Sequence, residues 1–421
     1  MKIGPILCAL LAVASVRADA LRYKVLDLGT LGGTYASPTA LNASGHATGT
    51  STTSDGAVRA FIYRNGNMID LGTLGGGSST GSAINDADEV VGTSSDSNGN
   101  RFVFLWSNGS MTSKGTLGGS ESFGGGINNN GFVTGSAYTT NDAALRAFLF
   151  TPGVGMAGIP TLGGTNGFGI AINASNQVAG FAEFLGDVVE HAYRYTPGGG
   201  VTDLGTLGGE DSVARDINNA GHVVGYSANA SGDTHAFLAI SDSMVDLGTF
   251  PSGSFSTARA INNHGVIVGH GSSAISSPRA FVRLDEKLRD LNEIITPQPG
   301  LVLESAVDIN DSGQILCEGR YNNNDTRALL LTPETVLTPK VRISGPKKIV
   351  TDKSSLIVKG TTSGEVDLIT CLGKKGAAKP AKGTSRWFFK AILKPGANVF
   401  LVTATGYGGT SAPAKITIVR K

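Results

Sequence analysis

Asp203-Leu204-Gly205-Thr206-Leu207-Gly208-Gly209, then Asp216-Ile217-Asn218-Asn219-Ala220-Gly221, then His235-Ala236-Phe237 make up one copy of a pattern that fills the chain from Leu21 to Leu337. The first segment returns unchanged at Asp27 to Gly33 and at Asp70 to Gly76, and in weaker form from Ser113, Gly158, Asp246 and Asp290. The second supplies Asn42, Asn85, Asn128, Asn173, Asn218, Asn262 and Asn310. The third sets a basic residue before Ala and a large apolar residue, at Arg59, Arg146, His191, His235, Arg279 and Arg327; Phe102 fills the basic slot of the remaining copy. Each segment therefore occurs seven times, at a period of about 44 residues. A period of that size belongs to solenoids, propellers and arrays, so the repeat is read before any single element.

Within one unit the apolar runs are too short for helices and too well punctuated by Gly, Asn and Ser, so they read as strands. Ala83-Ile84 ends one strand, Asn85 to Asp88 reads as a turn, Val90-Val91-Gly92 begins the next, and Phe102 to Trp106 supplies a third. The asparagines are turn formers, because an Asn side chain bonds its own backbone two residues on. A hairpin joins Arg59 to Tyr63 with Asn67 to Leu71 across Asn65-Gly66, a strong two-residue turn signal. Each unit thus has four strands.

Pairing Phe61 opposite Asp70 places Arg59 diagonal to Asp70 on one face. The same relation recurs for His191 with Asp203, His235 with Asp246 and Arg279 with Asp290. Where Phe102 replaces the base, Ser113 replaces the acid; Arg146 facing Gly158 breaks the pattern. These read as cross-strand charge pairs worth about 0.2–1 kcal/mol each. Arg fills the slot that His fills elsewhere, so no metal ligand is assigned there.

The last unit stops after its third strand, while the chain begins with a spare one at Tyr23 to Leu31. The spare strand completes the last unit and pairs Asp27 with Arg327. The expected fold is all-β: a seven-bladed β-propeller over residues 21–337, four strands per blade, closed by the N-terminal strand. An open solenoid, the competing architecture, would leave a strand edge at each end.

Residues 1–20 carry Lys2, an apolar run and the small-x-small triplet Ala18-Asp19-Ala20, the pattern of a removable export signal. Net charge divides the remainder. Residues 21–337 hold 16 Lys or Arg against 29 Asp or Glu, and residues 338–421 hold 16 against 3. The shift marks a boundary near Thr338 and gives the C-terminal part a cationic surface. That part reads as short strands near Leu356 to Lys359, Val366 to Cys371, Trp387 to Leu393, Val399 to Thr405 and Ile416 to Val419, a small β-sandwich with Trp387 in its core. Lys374 to Lys382 is a basic loop suited to anionic polymers or headgroups, without the interleaved aromatics that nucleic-acid stacking wants. Cys317 stands where the other six repeats have Gly and reads as a buried thiol.

Through His235-Ala236-Phe237, Asp203 to Gly209 and Asn218 to Gly221, the chain resembles the HAF family of extracellular repeat proteins, named for that tripeptide. The resemblance implies secretion and a repeat architecture, and it carries no catalytic residue. Through Trp387 and Leu393 to Asn398, the C-terminal part resembles bacterial immunoglobulin-like modules of secreted proteins.

Once the repeated residues have structural roles, function is left to the positions where repeats differ. Arg215 and Arg259 occupy one register position in successive units, three residues before Asn218 and Asn262. Paired guanidinium groups suit a carboxylate or sulfate. The expected function is a secreted, non-enzymatic binding or adhesion protein, its basic tail contacting an anionic polysaccharide or envelope polymer, with no cofactor, no nucleic acid and no membrane span. The alternative is a glycan hydrolase or lyase. It would draw on Asp216 and Asp308, the acids at their inner register, as the two carboxylates such hydrolysis uses. The loops Ser94 to Asn100 and Asn229 to Asp233 lack the acidic spacing of a calcium loop and read as solvated turns.

Overall fold

The computed structural model describes residues 21–421 except 187, 274–277, 323–324, 336–339, 364–365, 367, 374–378, 381–385 and 407–408. The export-signal reading and most of the Lys374 to Lys382 loop lie outside the described residues. Among the described residues there is no α-helix, only single 3-10 turns at Thr140–Asp142 and Leu291–Glu293. Among the described residues no helix is long and apolar enough to cross a membrane.

The repeats form seven four-stranded antiparallel sheets. The fifth shows the plan: Gly208–Ile217, Val223–Asn229, Thr234–Ile240 and Ser243–Asp246 follow one another as first to fourth strand. Sheets 1 to 6 repeat this order, beginning at Gly32, Gly75, Gly118, Gly163, Gly208 and Ser256. Sheet 7 takes Val302–Ile309, Ile315–Arg320 and Thr326–Thr335, and its fourth strand is Leu21–Asp27 from the other end of the chain. Each first strand packs on the first strand of the next sheet, and that of sheet 7 packs on that of sheet 1.

The expected hairpin register holds. Phe61 lies opposite Asp70, Tyr193 opposite Asp203, Phe237 opposite Asp246 and Phe281 opposite Asp290. On its other side the ring at this position in each of sheets 1 to 6 lies over a glycine of the second strand: Phe61 over Gly49, Phe104 over Gly92, Phe148 over Gly135, Tyr193 over Gly180, Phe237 over Gly225 and Phe281 over Gly269. A Cβ at Gly225 would sit 3.0 Å from the Phe237 ring and 2.0 Å from the Val213 carbonyl oxygen, so no larger residue fits. Sheet 7 solves the same contact differently. Leu329 replaces the ring, the pairing gains a register shift between Leu303 and Ser305, and a fully buried Cys317 occupies the glycine position.

The repeated asparagines do more than turn the chain. Asn218 Oδ1 accepts the N–H of Ala220 and His222, closing its own turn, while its Nδ2 donates 3.2 Å to the carbonyl of Asn262 in the next sheet. The same inter-sheet bond runs from Asn42 to Asn85, Asn85 to Asn128, Asn128 to Asn173, Asn173 to Asn218, Asn262 to Asn310, and Asn310 back to Asn42. Seven buried amides make a cycle of hydrogen bonds that returns to its start. A second contact reinforces it at five of the seven steps, in which the residue after the Asn donates its N–H to the side chain one repeat on, as Asn219 does to Asn263 and Asn263 to Asp311; Ala174 and Ala43 offer no acceptor at the other two.

The chain forms two compact units, one spanning Lys24–Thr332 and the other containing Pro333–Lys421. The second has a three-stranded sheet, Lys340–Ile343, Ser355–Ser363 and Arg386–Ile392, and a six-stranded sheet built around Gly396–Gly406. Their shared core holds Val358, Trp387, Ala391, Val402, Ile416 and Ile418, with Trp387 stacked on Phe389. The strand near Val399 begins earlier than expected, at Gly396, and Lys348–Thr351 adds a parallel pairing with Ala414–Arg420.

Two outcomes are expected. Leu329→Phe overfills sheet 7 and destabilises it by about 1–3 kcal/mol; adding Cys317→Gly returns part of that loss. A denaturation double-mutant cycle reads the coupling, and strictly additive effects would remove the proposed ring-over-glycine exchange. Asn218→Asp removes the amide donor and sets a carboxylate against the Asn262 carbonyl. It costs about 2–3 kcal/mol at neutral pH, with partial recovery in acid, where a protonated Asp can donate. A loss no larger than about 0.5 kcal/mol, ordinary for surface changes, would show that the cycle contributes little.

Candidate functional site

The first-motif aspartates are fixed by their own turns. Asp27, Asp70, Asp203 and Asp246 each accept, through Oδ1, the N–H of the glycine two residues on, at 2.7–2.9 Å. Ser113 does the same through its hydroxyl to Gly115, which explains why Ser can stand there. The cross-strand base faces the remaining oxygen, Oδ2, in the Asp70 and Asp246 copies and reaches both oxygens in the Asp203 copy. His191 Nδ1 lies 3.0 Å from Asp203 and His235 Nδ1 2.8 Å from Asp246, while Arg59 stays 3.9 Å from Asp70 and donates instead to the Gly77 carbonyl at 2.7 Å.

Two expected pairs do not form. Asp290 gives Oδ1 to both the backbone and the side-chain N–H of Asn292, because a 3-10 turn replaces the Thr-Leu-Gly-Gly link there, and Arg279 Nε is buried without a partner. Arg327 pairs with Asp325, a nearer carboxylate two residues back, at 3.3 Å, leaving Asp27 to its turn. The loops Ser94 to Asn100 and Asn229 to Asp233 are closed in the same way. Asp96 Oδ1 accepts from Asn98 and Asn100, and Asn229 Oδ1 from Ser231 and Asp233.

Arg215 and Arg259 lie on the first strands of sheets 5 and 6, which pack together. Neither guanidinium makes a hydrogen bond or ion pair with a described residue, and Arg215 Nε is buried without a partner. Arg215 lies over the Tyr226 ring, 5.4 Å from its centroid. Burial and the neighbouring charge of Arg215 lower the Arg259 pKa, with Glu318 opposing. His270 belongs to the same cluster. Burial pulls its pKa down to about 4, with repulsion from Arg259 and Arg215 adding to the shift. Its Nδ1 lies 3.3 Å from Ser305 Oγ, and Ser37 donates to Glu318 at 2.6 Å.

The cluster is therefore Arg215, Arg259, Tyr226, His270 and Glu318, all half-buried. Tyr226, His270 and Glu318 share one register position on the second strands of sheets 5, 6 and 7, eight residues after their asparagines. Sheets 1 to 3 have only Thr50, Thr93 and Ser136 there, and sheet 4 has Phe181. Aligning the second strands as well as the first would have found these residues. Two cations against one carboxylate, with an aromatic wall, can hold a compact anion through charge-assisted bonds.

Asp216 and Asp308 serve a different purpose. Each carboxylate accepts the N–H of its own next residue, Ile217 or Ile309, through Oδ1, and through Oδ2 the N–H of the adjacent sheet's first strand, Ile261 or Leu41. Burial pushes Asp216 up to about 6; burial, with repulsion from Asp216, pushes Asp308 up to about 7. Both oxygens of each are thus engaged, and Oδ2 joins neighbouring sheets. Among the described residues no group of three or more His, Cys, Asp or Glu is placed to hold a metal ion.

A family model described as a protein of unknown function (DUF3466) matches residues 205–389. No curated protein matches the chain in sequence. Among solved structures, a mutant of AofleA from Arthrobotrys oligospora aligns at 12% identity over 64% of this chain and 90% of its own, with a TM-score of 0.35. A gluconolactonase from Xanthomonas campestris aligns at 12% identity over 59% of this chain and 83% of its own, with a TM-score of 0.34. The extracellular domain of BT4673 from B. thetaiotaomicron aligns at 8% identity over 92% of this chain and 80% of its own, with a TM-score of 0.21. Likenesses this loose neither fix the fold nor lend it an activity.

The raised aspartates give a pH test. An unfolded Asp titrates near 3.9, while folded Asp308 holds its proton to about pH 7. Between these values the unfolded chain has released a proton that the fold keeps, so this group's contribution to stability falls as pH rises and levels off above the folded pKa. Asp308→Asn lacks this titration and keeps that of Asp216. The melting temperature of wild type minus that of Asp308→Asn should therefore decline from about pH 4 to about pH 7. A difference that rises with pH contradicts the raised pKa.

Proposed function

We propose that the seven sheets are the blades of a β-propeller closed by Leu21–Asp27, and that the protein is an exported, non-enzymatic binding or adhesion module. In this reading residues 1–20 are a removable export signal, the ring belongs with HAF-repeat proteins, and the tail from Thr338 is an immunoglobulin-like anchor toward an anionic envelope. The ring supplies the ligand site. One observation carries it: Arg215 and Arg259 lie on adjacent sheets, half-buried and without an ion-pair or hydrogen-bond partner among the described residues. Unpaired buried charge is costly and is offset when an anion fills the gap. The ligand is a carboxylate- or sulfate-bearing glycan, held by the two guanidinium groups with Tyr226 alongside.

The hydrolase reading draws on the raised pKa values of Asp216 and Asp308. It is disfavoured because both carboxylates already accept two backbone N–H groups each. Titration of the mature chain with acidic oligosaccharides tests the binding reading. Arg215→Ala combined with Arg259→Ala should weaken binding at least roughly tenfold, with little effect on melting temperature. Unchanged affinity refutes the site, and reducing-sugar release by the wild type would restore the hydrolase.

A further inference from the structure

The outer face of the three-stranded sheet in the C-terminal unit has its own chemistry. Register places Lys359 beside Phe388, Ile357 beside Lys390, Ser355 beside Ile392, and Thr361 between Arg342 and Arg386. Strand alternation sends these residues to solvent while Val358, Gly360, Trp387 and Ala391 turn into the core. Phe388 is 44% exposed, Ile357 47% and Ile392 67%, on a face that also carries Lys340, Arg342, Lys359, Arg386 and Lys390. None of these five cations is in an ion pair with any described residue. Among the described residues no acid shares the face. A cavity of about 630 Å³ shares Arg342 with it and adds Lys347 and Lys415 beside Pro346 and Pro413.

We infer that this face docks on an anionic lipid bilayer surface, its lysines and arginines on the headgroups and Phe388, Ile357 and Ile392 in the headgroup–acyl boundary. The inference rests on reading the C-terminal unit as the anchoring part of the protein. Charge complementarity selects an anionic partner, since residues 338–421 hold 16 Lys or Arg against 3 Asp or Glu. The apolar residues then separate a lipid from a soluble polyanion. A polyanion rewards charge alone, whereas an interface also rewards buried apolar area, with long basic side chains reaching up to the headgroups. A sugar surface would call for amide or carboxylate groups to receive its hydroxyls. Only Ser355, Thr361 and Ser363 are available on this face.

The test is vesicle flotation with the full mature chain, comparing phosphatidylcholine vesicles with and without phosphatidylglycerol, and heparin retention as the polymer arm. Binding only to the phosphatidylglycerol vesicles is expected. Lys359→Glu with Lys390→Glu should lower it by roughly tenfold or more. Phe388→Ser with Ile392→Ser, which leaves charge unchanged, should lower vesicle binding at least roughly fivefold and leave heparin retention as it was. Circular dichroism melts confirm that each variant is folded. Vesicle binding indifferent to the apolar pair, or heparin retention without vesicle binding, overturns the inference in favour of a polymer. Arg215→Ala with Arg259→Ala should leave flotation intact. If that variant abolishes it, the lipid contact belongs to the ring and the inference fails, whereas loss of glycan binding alone bears only on the ring site.

Discussion

One side-chain amide per repeat joins neighbouring sheets at their first turn. Its oxygen accepts two N–H groups of its own turn and its nitrogen donates to the next turn's carbonyl, so each amide both shapes its own turn and spaces its sheet from the neighbour. Only a group that is donor and acceptor at once can do this. Aspartate lacks the donor and serine lacks the reach. Seven such bonds in sequence must also close, and the bond from Asn310 to Asn42 closes them. A cycle left open would leave one amide and one carbonyl buried and unpaired, which is expensive.

That constraint leaves the chain little freedom near the first strands. Glycine is required where the second strand passes a carbonyl and an aromatic ring, and small residues precede the asparagines. The exceptions gather in sheets 5 to 7, where Arg215, Arg259, Tyr226, His270 and Glu318 replace small or apolar residues. Asp216 and Asp308 belong to the same region but tie strands together. Chemistry and stapling thus occupy neighbouring positions. This is why the acids look catalytic by position and structural by their hydrogen bonds.

The repeat made most of the fold legible. Strand number per unit, hairpin register and the use of the N-terminal strand all follow from spacing, because alternation and turn chemistry are local rules. The charge pairs were half legible. Sequence covariation linked Phe102 with Ser113, but the cause lies in the turn, where Ser113 and the aspartates accept the same N–H. Arg327 chose Asp325 and Asp290 chose Asn292, since a nearer local partner costs less entropy than a diagonal one across a hairpin.

By itself the sequence determined an all-β repeat, seven units, the residues that must be small, and a chain divided into an acidic and a basic part. Those properties are written in period, composition and local turn preference, which need no distant contact. Only the tertiary structure decided that the asparagines bond from sheet to sheet, that Tyr226, His270 and Glu318 join Arg215 and Arg259, and that Asp216 and Asp308 each accept a backbone N–H from the adjacent sheet. It also set lysines and arginines beside Phe388, Ile357 and Ile392 on one open face. Each of these depends on atoms brought together from tens to hundreds of residues apart, and proximity of that kind is fixed by packing and by bonds between sheets.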